Sequence, residues 1–302
     1  DLPSIEESVC EDIVSHVDAV LMERFQNLPD FGNVYVDETL KNYLVPFSQR
    51  SAQKAMRTLV RGSRIPMPAG DTIRFFLYWK EGEVAGNCTG RVDIDLSAVM
   101  YDQDFKYLEH ISYTNLRSAN YQAAHSGDIT SAPNGASEFI DLDIPSILKY
   151  GGRYVVASIN SFTGQPFSTI PECFAGWMAR QAPKSGEIYE PSTVQDKIDV
   201  TSDTKICIPV ILDLVTREVI WVDGAINGHF DLYNVECTKG TMALLGKAMT
   251  SLAKPTLYEL FELHAKARGT IVQEKEKADV IFSVNEGVTP FDIESIMAEY
   301  LA

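Results

Sequence analysis

Apolar residues recur along this chain at two spacings. From residue 72 to residue 180, aromatic and β-branched residues come in short runs parted by Gly, Pro, Asn and Asp. The runs 72–80, 91–100, 107–115, 137–144, 154–161 and 174–180 read as strands. No amphipathic helix separates them, so they predict an antiparallel β-sandwich. Residues 205–213 and 218–223 predict a hairpin across Leu214-Val215-Thr216-Arg217. A helix follows at 240–253.

The two ends follow the helical period instead. Ile5, Val9, Ile13, Val17, Val20, Leu21 and Phe25 predict a helix over 4–27, with Ser4 and Glu7 in capping-box positions. A short strand is expected at 33–37, with Val34 and Val36 on one face. Leu257, Leu260, Phe261 and His264 form the stripe of a helix over 255–268, and Gly269 is placed to stop it. His264 reads as a packed or capping histidine, because no second His lies at ligand spacing. A strand at 278–284 and a last helix opened by Thr289-Pro290-Phe291-Asp292 complete the chain. The breaker cluster 65–70 marks a boundary. The predicted division is 1–69, a sandwich at 70–253, and a helix-strand-helix extension at 254–302. The class is mainly β, α+β overall.

Charge narrows the function. The 302 residues carry a net charge of −16. That argues against nucleic acid as a partner, since phosphate binding needs a basic footprint. It suits a protein that binds cations. One basic stretch stands out: Arg50, Lys54, Arg57, Arg61 and Arg64 would form one stripe on a helix over 48–64. Its expected role is docking on carboxylates of the same chain or of another subunit. Five scattered cysteines without a CxxC predict neither disulfide framework nor zinc site, and a reducing, cytoplasmic setting. No apolar run approaches the ~20 residues of a membrane span. The start, Asp1-Leu2-Pro3, lacks a signal-peptide pattern and an initiator Met, so a processed or trimmed piece is expected.

Candidate chemistry centres on Asp93 and Asp95. In the alternation Val92-Asp93-Ile94-Asp95-Leu96 the two carboxylates share one strand face. Two readings stand: a solvent-wetted polar face, or a paired cation site. Downstream, His125-Ser126-Gly127-Asp128 and Asn134-Gly135-Ala136-Ser137-Glu138 supply further oxygens in turn-forming sequence. A hard cation such as calcium takes about six to eight such oxygens. Catalytic frames are absent: there is no GxSxG, GxGxxG or GxxxxGK[ST]. A Cys173–His125 pair is conceivable but has no supporting motif.

The order DIDLSA (93–98), YTNLRS (113–118), HSGD (125–128) and the acidic strand start at 138–143 resembles the tellurium-resistance TerD family, whose motifs run DLDA, YNN and HTGDN. The stretch 160–180 is similar to that family's QNFG and AFIR segments. The resemblance implies a calcium-binding β-sandwich linked to stress and toxic-anion resistance, non-enzymatic and cytoplasmic. Carried onto this chain, it implies a calcium site of Asp93, Asp95, Asp128 and Glu138, with Asn134 as a carbonyl ligand and His125 orienting a carboxylate. Departures are visible. The family's acidic GDDE-like run is here Gly135-Ala136-Ser137-Glu138, Ile129 rather than Asn follows Asp128, and YNN is Tyr113-Thr114-Asn115. Two functions follow: a calcium-responsive binding module, or an assembly protein that uses the sandwich as a metal-free scaffold. The partners expected are Ca2+ and protein, by heterologous contact or self-association.

Overall fold

The computed structural model describes residues 5–47, 54–55, 59–180, 194–226, 235–251 and 253–301. The chain forms two compact units. One is Arg50–Leu252; the other joins the two ends, Asp1–Gln49 and Ala253–Ala302. The division thus falls at 49/50. The cluster at 65–70 marks no boundary, because Arg64–Pro66 is a strand paired to Glu218–Ile226.

The larger unit is the predicted antiparallel sandwich. One sheet has seven strands, in the order Lys54–Ala55, Val194–Asp199, Glu172–Ala179, Thr72–Lys80, Ala136–Asp143, Ala123–His125 and Arg117–Ser118. The other has six, in the order Arg64–Pro66, Glu218–Ile226, Ile206–Asp213, Tyr154–Ser161, Ile94–Tyr101 and Tyr107–Ile111. Between them Trp177 of the first sheet meets Trp221 of the second edge-on, at 6.5 Å. Phe75, Leu96, Ala157, Ala175 and Val210 line the same layer. The expected hairpin forms, with Asp213 opposite Glu218.

Ile94–Tyr101, Tyr154–Ser161 and Ile206–Asp213 are buried along their whole length. An exposed sheet face would show alternation, so both faces are covered. The outer cover is the helix Val235–Ser251. Its Val235 and Met242 pack with Tyr101, Phe105, Tyr154 and Val222, and the Tyr101 hydroxyl donates to the Lys239 carbonyl at 2.6 Å. One short helix, Ile144–Lys149, was not expected. Asp143 caps it by accepting the Ser146 amide at 2.9 Å, and Pro145 occupies its first turn.

The basic stripe is not a helix where it is described. Lys54 lies in a strand opposite Asp199, and Arg64 in a strand opposite Ile220. Arg50 and Arg57 lie outside the described residues. Spacings of three and four residues suit a helix, but in this segment sheet pairing wins. The carboxylate contacts expected of the stripe occur within the chain: Arg61 reaches Asp223 at 3.8 Å, and Arg64 reaches Glu218 at 2.8 Å and Asp213 at 3.6 Å.

The terminal unit contains a three-stranded parallel sheet. Gly32–Val36 lies between Gly269–Ile271 and Val280–Phe282. The helix Leu257–Arg268 buries the predicted Leu257, Leu260, Phe261 and His264 and starts with a Thr256–Glu259 capping box. Gly269 ends it, but in extended rather than left-handed backbone. A Cβ there would run into the Gly32 carbonyl, so close strand approach is what demands glycine. The helix Glu7–Phe25 begins at Glu6 without a side-chain cap; Ser4 of the expected capping box lies outside the described residues. The last helix, Ile293–Glu299, follows Asp292, which accepts the Thr289 amide and hydroxyl at 2.8 Å each. Among the described residues, no helix is long and apolar enough to cross a membrane.

Candidate metal centre

The strand Ile94–Tyr101 pairs along its length with Tyr154–Ser161, placing Asp95 opposite Asn160. On its other side the neighbouring strand starts only at Ala98, opposite Ile111. Buried backbone groups before that point need other partners. Two side chains from the facing sheet supply them. Glu138 Oε2 accepts the Leu96 amide at 2.9 Å, and His125 Nε2 contacts the Leu96 carbonyl at 3.1 Å. The Gly127 amide donates to His125 Nδ1 at 3.0 Å, which places the ring proton on Nε2. The second oxygen of Glu138 accepts the Ile129 amide at 3.1 Å. Glu138 therefore ties the aspartate strand to the loop that carries Asp128.

Glu81 makes a second tie. One of its oxygens, Oε1, accepts the Val92 amide at 3.1 Å, the Ala132 amide at 2.7 Å and the Ser131 hydroxyl at 2.9 Å. Thr163 adds a third, its hydroxyl accepting the Asp93 amide at 3.1 Å. Loop 126–132 and the strand start at 92–96 are thus held together by side chains bonding to backbone.

The result is a convergence of three carboxylates. Asp93, Asp95 and Asp128 each offer an oxygen, and the three lie within 4.8 Å of one another. Asp93 and Asp95 are each only 3% exposed, and Asp128 opens to solvent. That excludes the solvent-wetted reading of the strand face. Asp95 Oδ2 is buried and has no hydrogen-bond partner, and neither has Asn160 Oδ1. A buried acceptor without a donor costs about 1–3 kcal/mol, more for a charged group.

The electrostatics carry the same mark. Burial pushes the Asp95 carboxyl up to about 8, with Glu138, Asp93 and Asp128 adding repulsion. Burial and then Asp128 push Asp93 up to about 6, against the pull of Arg91 at 3.9 Å. A calcium ion holds oxygens at about 2.3–2.6 Å, so ligands on opposite sides of it stand roughly 5 Å apart. The three aspartates fall within that span. Acceptor-only atoms, one of them buried without a donor, fit a hard cation.

The expected residues therefore divide. Asp93, Asp95 and Asp128 come together. Glu138 stands against them with both oxygens on backbone amides, and His125 braces the same strand. Asn134 is exposed, in the turn where the Gly135 amide reaches the Ala132 carbonyl. Sequence reading missed Glu81, Asn160 and Thr163. Asn160 carried a signal, as a carboxamide directly after the run Val155–Ile159 of small or apolar residues. Glu81 carried none, because it acts on backbone amides far along the chain.

No family model matches this chain. A curated relative, the tellurium resistance protein TerZ of Serratia marcescens, is 30% identical over 109 residues, 34% of this chain and 56% of the relative. The chain thus spans about half the length of the curated relative it matches. Among solved structures, a homologue of telluride resistance protein TerD from Streptomyces coelicolor A3(2) aligns at 10% identity and a TM-score of 0.41, over 57% of this chain and 97% of that one. A protein described as of unknown function aligns at 13% identity and a TM-score of 0.38, over 52% and 92%. The likeness is to a tellurium-resistance, TerD-like family.

Proposed function

We propose that this TerD-like chain is a non-enzymatic, calcium-responsive binding module of a cytoplasmic system that answers toxic-anion stress. The observation that carries the reading is the buried Asp95 oxygen without a donor, set among Asp93 and Asp128. Bound there, calcium would supply the positive charge those carboxylates lack, and Asp93, Asp95 and Asp128 would hold it. The name of the relative TerZ supports the stress context. The non-enzymatic part is supported by the state of the best nucleophile. Burial, with Asp199 nearby, pushes the Cys173 thiol well above its ordinary range, and His125 is committed to the Leu96 carbonyl and Gly127 amide.

Calcium titration tests the reading. All three tryptophans, Trp79, Trp177 and Trp221, lie in the larger unit, so their fluorescence follows its melting. Calcium at a hundredfold excess over Kd should stabilise that unit by roughly 2.7 kcal/mol. Magnesium should do less, because it demands a tighter octahedral shell. The gain should vanish in Asp93→Asn/Asp95→Asn. A melting curve that calcium does not move would overturn the proposal and leave the metal-free assembly scaffold, a reading in which the exposed apolar stripe on the helix Glu7–Phe25 favours assembly with a different protein.

A further inference from the structure

The helix Glu7–Phe25 has two apolar faces and uses only one. Toward its C-terminal end Phe25 is buried, Leu21 and Met22 are half-buried, and the Phe25 ring stacks on His264 at 3.7 Å. On the other face Val9, Ile13, Val17 and Val20, continued by Ile5, are all exposed. Steps of four, four and three residues place them in one stripe along the helix. From residue 5 to residue 17 every position is exposed.

Such a segment is poorly made to stand alone. Val, Ile, Ser, Asp and Cys dominate it, and all are weak helix formers. Short isolated helices are marginal in water even with good formers. A continuous exposed apolar stripe marks an interaction surface. The chemistry of the cover follows from charge. Between Glu6 and Phe25 there are six carboxylates and one arginine. At 3.6 residues per turn, Asp12 and Glu23 run along one border of the stripe, while Glu7, Glu11 and Asp18 lie on the far face of the helix. A second copy of the helix would bring the same carboxylates against them. An anionic bilayer or a nucleic acid would be repelled as well.

We propose that this stripe docks a basic amphipathic helix of another protein. Its apolar residues would seat on Val9, Ile13, Val17 and Val20, and its Lys and Arg would face the border carrying Asp12 and Glu23. The reading is independent of the metal centre.

Two synthetic helical peptides with one leucine seam test it, one with Lys flanking the seam and one with Glu. Fluorescence anisotropy with the full chain, in calcium and in EDTA, should show the Lys peptide binding at least tenfold tighter in both. Ile13→Asp/Val17→Asp should abolish that binding with the far-UV spectrum unchanged, because both side chains are exposed. Asp12→Lys/Glu23→Lys should turn the preference toward the Glu peptide. Equal binding of both peptides would overturn the proposal. So would sedimentation showing a dimer of the chain alone that Ile13→Asp/Val17→Asp dissolves, or capture by phosphatidylglycerol vesicles.

Discussion

Each unit buries a titratable centre, and the two are finished differently. In the terminal unit His264 has both nitrogens engaged. Nε2 contacts the Tyr300 carbonyl at 3.0 Å and Nδ1 meets the Arg268 guanidinium at 3.3 Å, while Phe25 stacks on the ring. Its neutral form is complete, so it serves packing. In the sandwich Asp93 and Asp95 are as deeply buried, yet one oxygen has no donor and the neighbours are acidic. A buried polar group that is satisfied reads as structure; one left open amid like charge reads as a site.

Opposite pH responses should separate the centres, the larger in the sandwich. Raised carboxylate values mean the folded state holds its protons longer than the unfolded chain. The contribution of these two groups to stability is therefore greatest below about pH 4 and is lost as pH rises through about 6 for Asp93 and about 8 for Asp95. Each pH unit by which the folded value exceeds the unfolded one is worth ~1.4 kcal/mol, so the metal-free loss should reach several kcal/mol by pH 8. Tryptophan-monitored urea melts should show Asp95→Asn more stable than the parent at pH 8 in EDTA. Calcium should erase that difference by stabilising the parent alone. A parent whose metal-free stability is flat from pH 4 to 8 would remove the electrostatic basis of the site.

The terminal unit should respond to acid. Burial, outweighing the bond to the Tyr300 carbonyl, lowers His264 to about 4. The unfolded chain then binds the proton first, so stability present above about pH 6.5 is lost as pH falls toward 4, by about 3 kcal/mol. Hydrogen exchange of the amides in Leu257–Arg268 reads this directly. The acid-sensitive step should be missing in His264→Phe, which loses about 1–3 kcal/mol at neutral pH for the partners it strands.

The smallest effect sharpens the distinction between ligand and brace. Glu81→Ala strands the Val92 and Ala132 amides and should cost about 2 kcal/mol. Because Glu81 holds the loop rather than the ion, calorimetric titration should show calcium affinity reduced but binding retained. Complete loss of binding, as in Asp95→Asn, would make Glu81 part of the site.

Much of the sandwich was legible because its strands announce themselves locally. Thr72–Lys80 and Tyr154–Ser161 fall where alternation and β-branching placed them. The pair Asp93 and Asp95 was legible for the same reason, since strand geometry sets them on one face before any fold is known. What escaped depends on distant partners. The spacing of Lys54, Arg61 and Arg64 suits a helix, but pairing with Asp199 and with Ile220 draws the segment into sheets. Gly32–Val36 finds both its partners near the other end of the chain. Val9, Ile13 and Val17 carry a helical period that says nothing about whether the stripe meets a core.

The parallel pairing of Gly32 with Gly269 also sets a schedule. About 240 residues separate them, so at about 5–20 residues per second the early strand waits on the order of 10–50 s for its partner to emerge from the ribosome. Every strand of the sandwich is made within that interval. The sandwich is thus placed to mature as a self-contained insert while the N-terminal helix and strand idle, their apolar residues open to chaperones until the last fifty residues arrive.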